Sequence, residues 1–490
     1  MALPIIGFVG VPTVGLDYLF STRLMGLLWS SLKLGATSSF LCVLVGLKAA
    51  LAVRSTSLYN KKTRWFFLAF SPIPYYIYAL SFMYMVRYML NISPTIARSM
   101  ASGFFSCIFV NLLSFLPIAT GLILMELERL DIQQQELALL YYGWNDVVFK
   151  IIIPSLRPII TVAGMLIFIL SVTDFSVPSL FQYNTFTLEI FSSYSKGLDL
   201  TTVGFISLPL IMIVLAVASA LVVTMKRTAI YKNQNNNKKI HTTGILRWFC
   251  KFGLLVCLIQ IIVPTVTFAY TAGDFENIMK SIEICWDEFT VSVMISAYAG
   301  GIAVGVTLPL VLVLHKKINL PITILALVPL AMPSSLIAMG LLSTVNGSII
   351  HNMSRSVIFP ALGCGIKYMP FVFLSMMMYQ KHMDMKKIEI ARCYMRSKIT
   401  LFFCIILPMY LPILVGSFLM TFLLSMGEEG IGLILMPPGY QTLAVMIYNY
   451  LHYGASQLVS GFCLLTVVMT LLLTIVMIGL FDWRGKHKER

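Results

Sequence analysis

The chain has 490 residues, 58% of them hydrophobic and 11% charged, with a mean hydropathy of +0.88. Soluble domains carry about 25% charged residues, so this composition excludes a water-soluble enzyme or binding module and implies a polytopic membrane protein. The net charge is +15, which leaves two explanations: a nucleic-acid partner, or basic loops on one side of a membrane.

A helical span needs about 20 apolar residues. Eleven segments qualify: 32–53, 65–86, 100–125, 157–178, 203–225, 248–271, 291–314, 321–345, 356–379, 408–426 and 459–481. Residues 2–20 are a marginal twelfth, apolar but holding Asp17, three Gly and two Pro. They lack the basic flank and small-residue cleavage site of a signal peptide. The basic residues cluster between spans. The loop 54–64 holds Arg54, Lys61, Lys62 and Arg64, and the turn after 314 holds Lys316 and Lys317. Further clusters lie at 126–157, 226–251, 381–398 and 484–490. If the spans alternate, all of these fall on one side, and the Lys and Arg bias makes that side cytoplasmic. Topology then accounts for the charge, and no nucleic-acid partner is expected.

Nine cysteines are scattered without a CxxC pair, mostly in apolar runs where Cys acts as a small hydrophobe. The six His show no HExxH or i,i+4 pairing. Neither a disulfide framework nor a metal site is expected. No G-x(4)-G-K-[ST] phosphate loop is present, so the chain is not expected to be an enzyme or to carry its own ATPase site.

The run "KRTAIYKNQNNNKKIHTTG" is polar and of low complexity, and reads as a solvated cytoplasmic connector. It divides the chain nearly in half: a first transmembrane domain over 1–227, a linker over 228–246 and a second domain over 247–490. Segment 31–54 aligns with 292–315, Pro117 with Pro370, Pro154 with Pro408, and Ser171 with Ser425, in the same order. The two halves run in the same direction, as a parallel repeat.

Two polar stretches occupy matching places in this repeat. "ELALLYYGWNDVVFKIIIPSLRP" begins at Glu136, and "IEIARCYMRSKITLFFCIILPMYLP" begins at Ile388. Each reads as a helix of mixed apolar and charged residues, a turn, and an apolar run containing a Pro. The pattern alone leaves two readings open, a docking handle for a soluble partner or an interfacial helix covering the end of the bundle.

The second stretch resembles the EAA loop of ABC importer permeases, E-A-A-x(3)-G-x(9)-I-x-L-P. Glu389, Ala391, Ile405, Leu407 and Pro408 fall on the pattern, whereas Met395 stands at the Gly position. The first stretch keeps Glu136, Ala138, Gly143 and Pro154, with one residue fewer between Glu and Pro. The segments after these loops look like those of fused permeases of the iron(III), thiamine and aminoethylphosphonate group. The resemblance implies an all-α polytopic protein of two parallel halves, each of about five or six transmembrane helices, with the type I ABC importer (MetI-like) permease fold. It implies a bacterial plasma (inner) membrane location. The expected partners are an ABC ATPase dimer on the cytoplasmic side, an extracytoplasmic substrate-binding protein and the lipid bilayer. No cofactor is expected on this chain, and ATP would be hydrolysed by the partner subunits. Ferric iron is the favoured substrate, with thiamine or a phosphonate as alternatives. Ala391 is expected to face the ATPase, its small side chain permitting close approach.

Three further residues are candidates for the pathway. Lys367 stands in mid-span, where a charge at membrane depth is functional by default and snorkelling is the bland alternative. Asp174 and Glu428, the latter followed by Glu429, come after Ser171 and Ser425 at the ends of corresponding spans. Carboxylates there could line a mouth or simply be solvated. An ion-coupled secondary transporter is the competing class; it would need several embedded carboxylates or broken helices.

Overall fold

A backbone in hydrocarbon must satisfy its own amides, and an α-helix does so within one segment. The computed structural model describes residues 8, 15–55, 73–90, 102–130, 132–227, 244–314, 320–346, 354–381, 385–394, 397–452 and 456–487. Among them it holds helices and no strand. The first half supplies α1 (Thr22–Ser55), α2 (Tyr75–Leu90), α3 (Phe104–Leu127), α4 (Ile132–Leu139), α5 (Ile153–Thr173), α6 (Ser176–Leu180), α7 (Phe186–Ser195) and α8 (Leu200–Arg227). The second half begins with α9 (Gly244–Ala272), α10 (Phe275–Ile284), α11 (Trp286–Leu314), α12 (Leu320–Ala331) and α13 (Ser334–Asn346). It continues through α14 (Ile358–Lys381), α15 (Met385–Tyr394), α16 (Leu407–Met426), α17 (Gly432–Leu435), α18 (Leu443–His452) and α19 (Ser456–His487).

Nine helices among the described residues are long and apolar enough to cross a membrane, and they coincide with nine of the expected spans. The protein is an all-α, multi-pass membrane protein. Two expectations change. The segment 321–345 is not one straight span but the pair α12 and α13, bent by 109°. Pro333 sits in the break, where its missing amide ends the ladder of one helix and lets the next start at Ser334. The linker expected over 228–246 ends earlier, because Gly244 to Leu246 already belong to α9, whose apolar run begins at Ile245. Residues 228–243 and most of 2–20 lie outside the described residues, and 65–86 is described only from residue 73, as part of α2.

The repeat is visible in the packing. In the first half α1 packs on α3 and α5, which also pack on each other; in the second, α11 packs on α14 and α16 in the same way. A Cβ on Gly46 of α1 would lie 2.7 Å from the Ala119 Cβ of α3, so the two helices approach at backbone distance. One hydrogen bond recurs across the repeat. Ser31 Oγ accepts from the Phe186 amide at 2.8 Å at the start of α7, and Ser292 Oγ accepts from the Leu443 amide at 2.8 Å at the start of α18. The flanking helices interlock the halves. α9 packs on α1, α2 and α3, whereas α8 packs on α12 and α13.

Both polar stretches begin with a helix and lie between spans as expected. α4 leads to a π-helical segment, Val148–Ile152, and α15 to another, Phe402–Ile406. Pro154 and Pro408 follow at the same distance. Each proline lacks an amide and clashes with the carbonyl four residues back, so the turn before it widens instead of breaking.

Candidate functional site

The helices α5 and α16 each join two features. At one end lies a polar stretch, and at the other a carboxylate, ~30 Å away for helices of 21 and 20 residues. The carboxylate ends meet at the junction of the two halves. α5 stops at Thr173, and Asp174 leaves the helix in an extended conformation. Its two carboxylate oxygens accept from the Ser176 and Val177 amides at 3.0 and 3.2 Å, so it caps α6. α16 stops at Met426, and Glu428 takes the corresponding place. Its Oε1 accepts from the Ile431 amide at 3.4 Å. Its Oε2 accepts from the Lys367 ammonium and from the Tyr368 hydroxyl, the latter at 2.6 Å.

Asp174, Glu428 and Glu429 are all buried. Two glycines bracket Glu428 and Glu429 and bring the halves together. A Cβ at Gly427 would collide with the ring of Pro74, and one at Gly430 with Ser334 Oγ and with Phe175, 2.7 Å away. Asp174 and Glu429 lie just past the ends of their spans. Burial pushes Asp174 up to about 6, against the opposing pull of the Ser176 and Val177 amides and of Lys367. Burial likewise pushes Glu429 up to about 8. A group so placed holds a proton more readily than a surface carboxylate.

Lys367 lies nine residues, or ~14 Å, from the start of α14. It does not snorkel to an end. Its side chain is 19% exposed and ion-paired to a Glu428 side chain that is 1% exposed. The three candidate pathway residues are therefore brought together. The solvated alternative does not apply to Glu428 and Glu429, which are covered by the opposite half. Sequence reasoning missed the tyrosines Tyr75, Tyr76 and Tyr368 around the carboxylates, and also Asn111. The Asn111 amide donates to Ser38 Oγ at 3.2 Å and Ser171 Oγ at 3.0 Å, tying α3 to α1 and α5. A polar residue in mid-span, in "FVNLLSF", was the available signal. Among the described residues no three of His, Cys, Asp and Glu converge as metal ligands.

At the other end, α4 and α15 carry matching surfaces. Leu137 is exposed on the first, with Leu140 and Tyr141 in the turn that follows it, and Ile390, Cys393 and Tyr394 on the second, each 253 residues on. Ala138 and Ala391 are buried against the rest of the chain. This corrects the expectation for Ala391: its small side chain permits close approach to the chain's own bundle, and larger neighbours form the outward face. Glu136 and Gly143 are exposed, Pro154, Ile405 and Leu407 half-buried, and Pro408 exposed. The first stretch is one residue shorter, and α4 ends at Leu139, two residues before the position matching the end of α15, with a turn leading to Trp144.

Residues 297–488 match the family described as "Binding-protein-dependent transport system inner membrane component". The chain is 23% identical over 392 residues to the "Fe(3+)-transport system permease protein FbpB 2" of Haemophilus influenzae, covering 75% of this chain and 74% of the relative. It is 25% identical over 138 residues to the "Spermidine/putrescine transport system permease protein PotC" of Escherichia coli, covering 26% of this chain. That match spans about half, 52%, of the relative's length. These similarities support the ABC permease group and a multi-pass location in the inner membrane.

Proposed function

We propose that the chain is the permease subunit of an ATP-driven, binding-protein-dependent importer, with both permease halves fused in one polypeptide as 1–227 and 247–490. One observation carries this reading: α5 and α16 each connect an exposed, largely apolar helix at one end to a buried carboxylate at the inter-half junction at the other. A helix is stiff, so displacement of α4 or α15 by a docked ATPase dimer reaches Asp174 or Glu428. The docking helices belong to the stretches that contain Glu136, Ala138, Gly143 and Pro154, and Glu389, Ala391, Ile405, Leu407 and Pro408. The pathway runs through the junction lined by Asp174, Glu428 and Lys367, and an extracytoplasmic binding protein delivers substrate to it. Excess carboxylate at the junction favours a cation. Ferric iron is the first choice, because the relative that covers most of the chain is named for it. The polyamine permease similarity and the thiamine and phosphonate alternatives come behind.

The three buried carboxylates and the bent pair α12–α13 also meet the requirements stated for an ion-coupled secondary transporter. One experiment separates the two readings. The chain is reconstituted in proteoliposomes with the ATPase and binding protein it co-purifies with, and uptake of ferric iron is measured with and without ATP and with a protonophore. The importer reading expects uptake that requires ATP and the binding protein and survives the protonophore. Uptake that needs no ATP and collapses with the protonophore sinks it.

A further inference from the structure

The junction holds three buried carboxylates against the one ammonium of Lys367 among the groups that act on them. The repeat builds the carboxylate twice, as Asp174 and Glu428, but the cation once. The position matching Lys367 in the first half is Ser114, whose hydroxyl merely donates to the Val110 carbonyl of its own helix at 2.8 Å. The lysine thus belongs to the second half alone. Its ammonium lies on Glu428 and 5.3 Å from the centre of the Tyr368 ring, the surroundings of a bound amine.

A second observation points to an absent ligand. The Ser176 hydroxyl, 2% exposed, lies beside Glu429 and Tyr75 and is shared between them. The Tyr76 hydroxyl, near Glu428 and Glu429, is equally buried and makes no hydrogen bond. A purely structural ion pair would be expected to leave its surroundings satisfied. Here a buried hydroxyl without a partner stands beside a cluster of three buried carboxyl groups.

We propose that Lys367 is a tethered stand-in for the transported cation: it occupies Glu428 while the junction is closed, and an incoming multivalent cation displaces it there and passes along Asp174 and Glu429. This rests on the reading of the junction as the pathway. Because these carboxylates do not converge as a chelate, each holds the cation in turn. Weak, separated sites let a cation leave as well as enter. A hard metal ion and a polyammonium share this chemistry.

The test uses the full chain in lipid nanodiscs, with spermidine as the polyammonium probe and terbium(III) as the hard trivalent one. Lys367→Met should bind one of the two at least ten-fold more tightly than wild type, and the probe that gains identifies the kind of cation. Lys367→Arg should match wild type, and the double variant Lys367→Met/Glu428→Gln should lose the gain. The wild-type chain provides a readout that needs no variant to fold: acetylation of Lys367 by sulfosuccinimidyl acetate should rise as the same probe is added. The proposal is overturned if neither probe binds Lys367→Met more tightly and Lys367 acetylation stays constant, or if the gain survives in the double variant. Failure of ATP-driven uptake in proteoliposomes would instead reject the importer reading, leaving the displacement of Lys367 to stand on its own result.

Discussion

Gly427 and Gly430 are small because rigid or crowded neighbours from elsewhere in the chain occupy the space where a side chain would start. The ring of Pro74 cannot rotate away, and Ser334 at the head of α13 and Phe175 between α5 and α6 crowd Gly430. Gly430→Ala should overpack the junction by about 1–3 kcal/mol. Removing the Ser334 hydroxyl relieves one of the two contacts. Gly430→Ala should therefore lower the melting temperature of the purified chain, and Ser334→Ala should recover part of that loss in the double variant while doing little alone. Additive losses would mean that Ser334 is not what limits the space at Gly430. The sequence announced some of this site. Lys367 stands out as a charge in mid-span, and Asp174 and Glu428 share a place after paired spans. It could not show that Pro74, Phe175 and Ser334 close over Glu428 and Glu429, because those contacts join segments about a hundred residues apart or more, and no local periodicity encodes them.

At the scale of the helix, the two docking candidates show where a motif stops being informative. Glu136–Ala138 and Glu389–Ala391 mark each helix, but not which side faces outward. Each helix is apolar on two faces, one lying on the chain's own bundle and one exposed, and hydrophobic spacing does not rank them. The alanines took the inner face, where a methyl group permits close packing. The exposed side is Leu137 with Leu140 and Tyr141 of the turn after it, and Ile390, Cys393 and Tyr394. Aromatic anchors at interface centres are worth about 2 kcal/mol or more. Tyr394→Ala should therefore weaken the hold on the ATPase by roughly 30-fold without changing the melting temperature of the isolated chain, and Tyr141→Ala should act likewise. Ala391→Arg should do the reverse first, forcing a long cation into a buried position and lowering the melting temperature of the chain by itself. Titrating the ATPase onto immobilised permease, with melting curves alongside, distinguishes the two effects. An Ala391→Arg chain as stable as wild type, with ATPase binding lost, would return Ala391 to the outer face.

For the whole molecule, the span count was legible because hydropathy is a sum over about 20 residues, and a sum does not register a bend. The pair α12–α13 had the composition of one span and the geometry of two pieces at 109°. That bend brings Ser334 at the head of α13 against Gly430, so the feature invisible to hydropathy helps to close the junction. On the proposed importer reading, alternating access requires the neighbouring contact between the halves, Pro74 against Gly427, to separate. An ideal Cβ at Gly427 lies 2.8 Å from the Pro74 Cβ, and a disulfide needs about 3.5–4.5 Å, so a separation of an ångström or so would admit one. In a background lacking the exposed Cys393 and Cys404, the pair Pro74→Cys/Gly427→Cys should cross-link under oxidation. The cross-linked chain should bind ATPase as tightly as the same chain when reduced, because α4 and α15 lie at the opposite ends of α5 and α16. It should nevertheless carry no substrate into proteoliposomes until a reductant is added, when uptake should return. Uptake at the reduced rate by a fully cross-linked chain would show that the 74–427 contact need not open, and the pathway would then have to pass elsewhere between the halves.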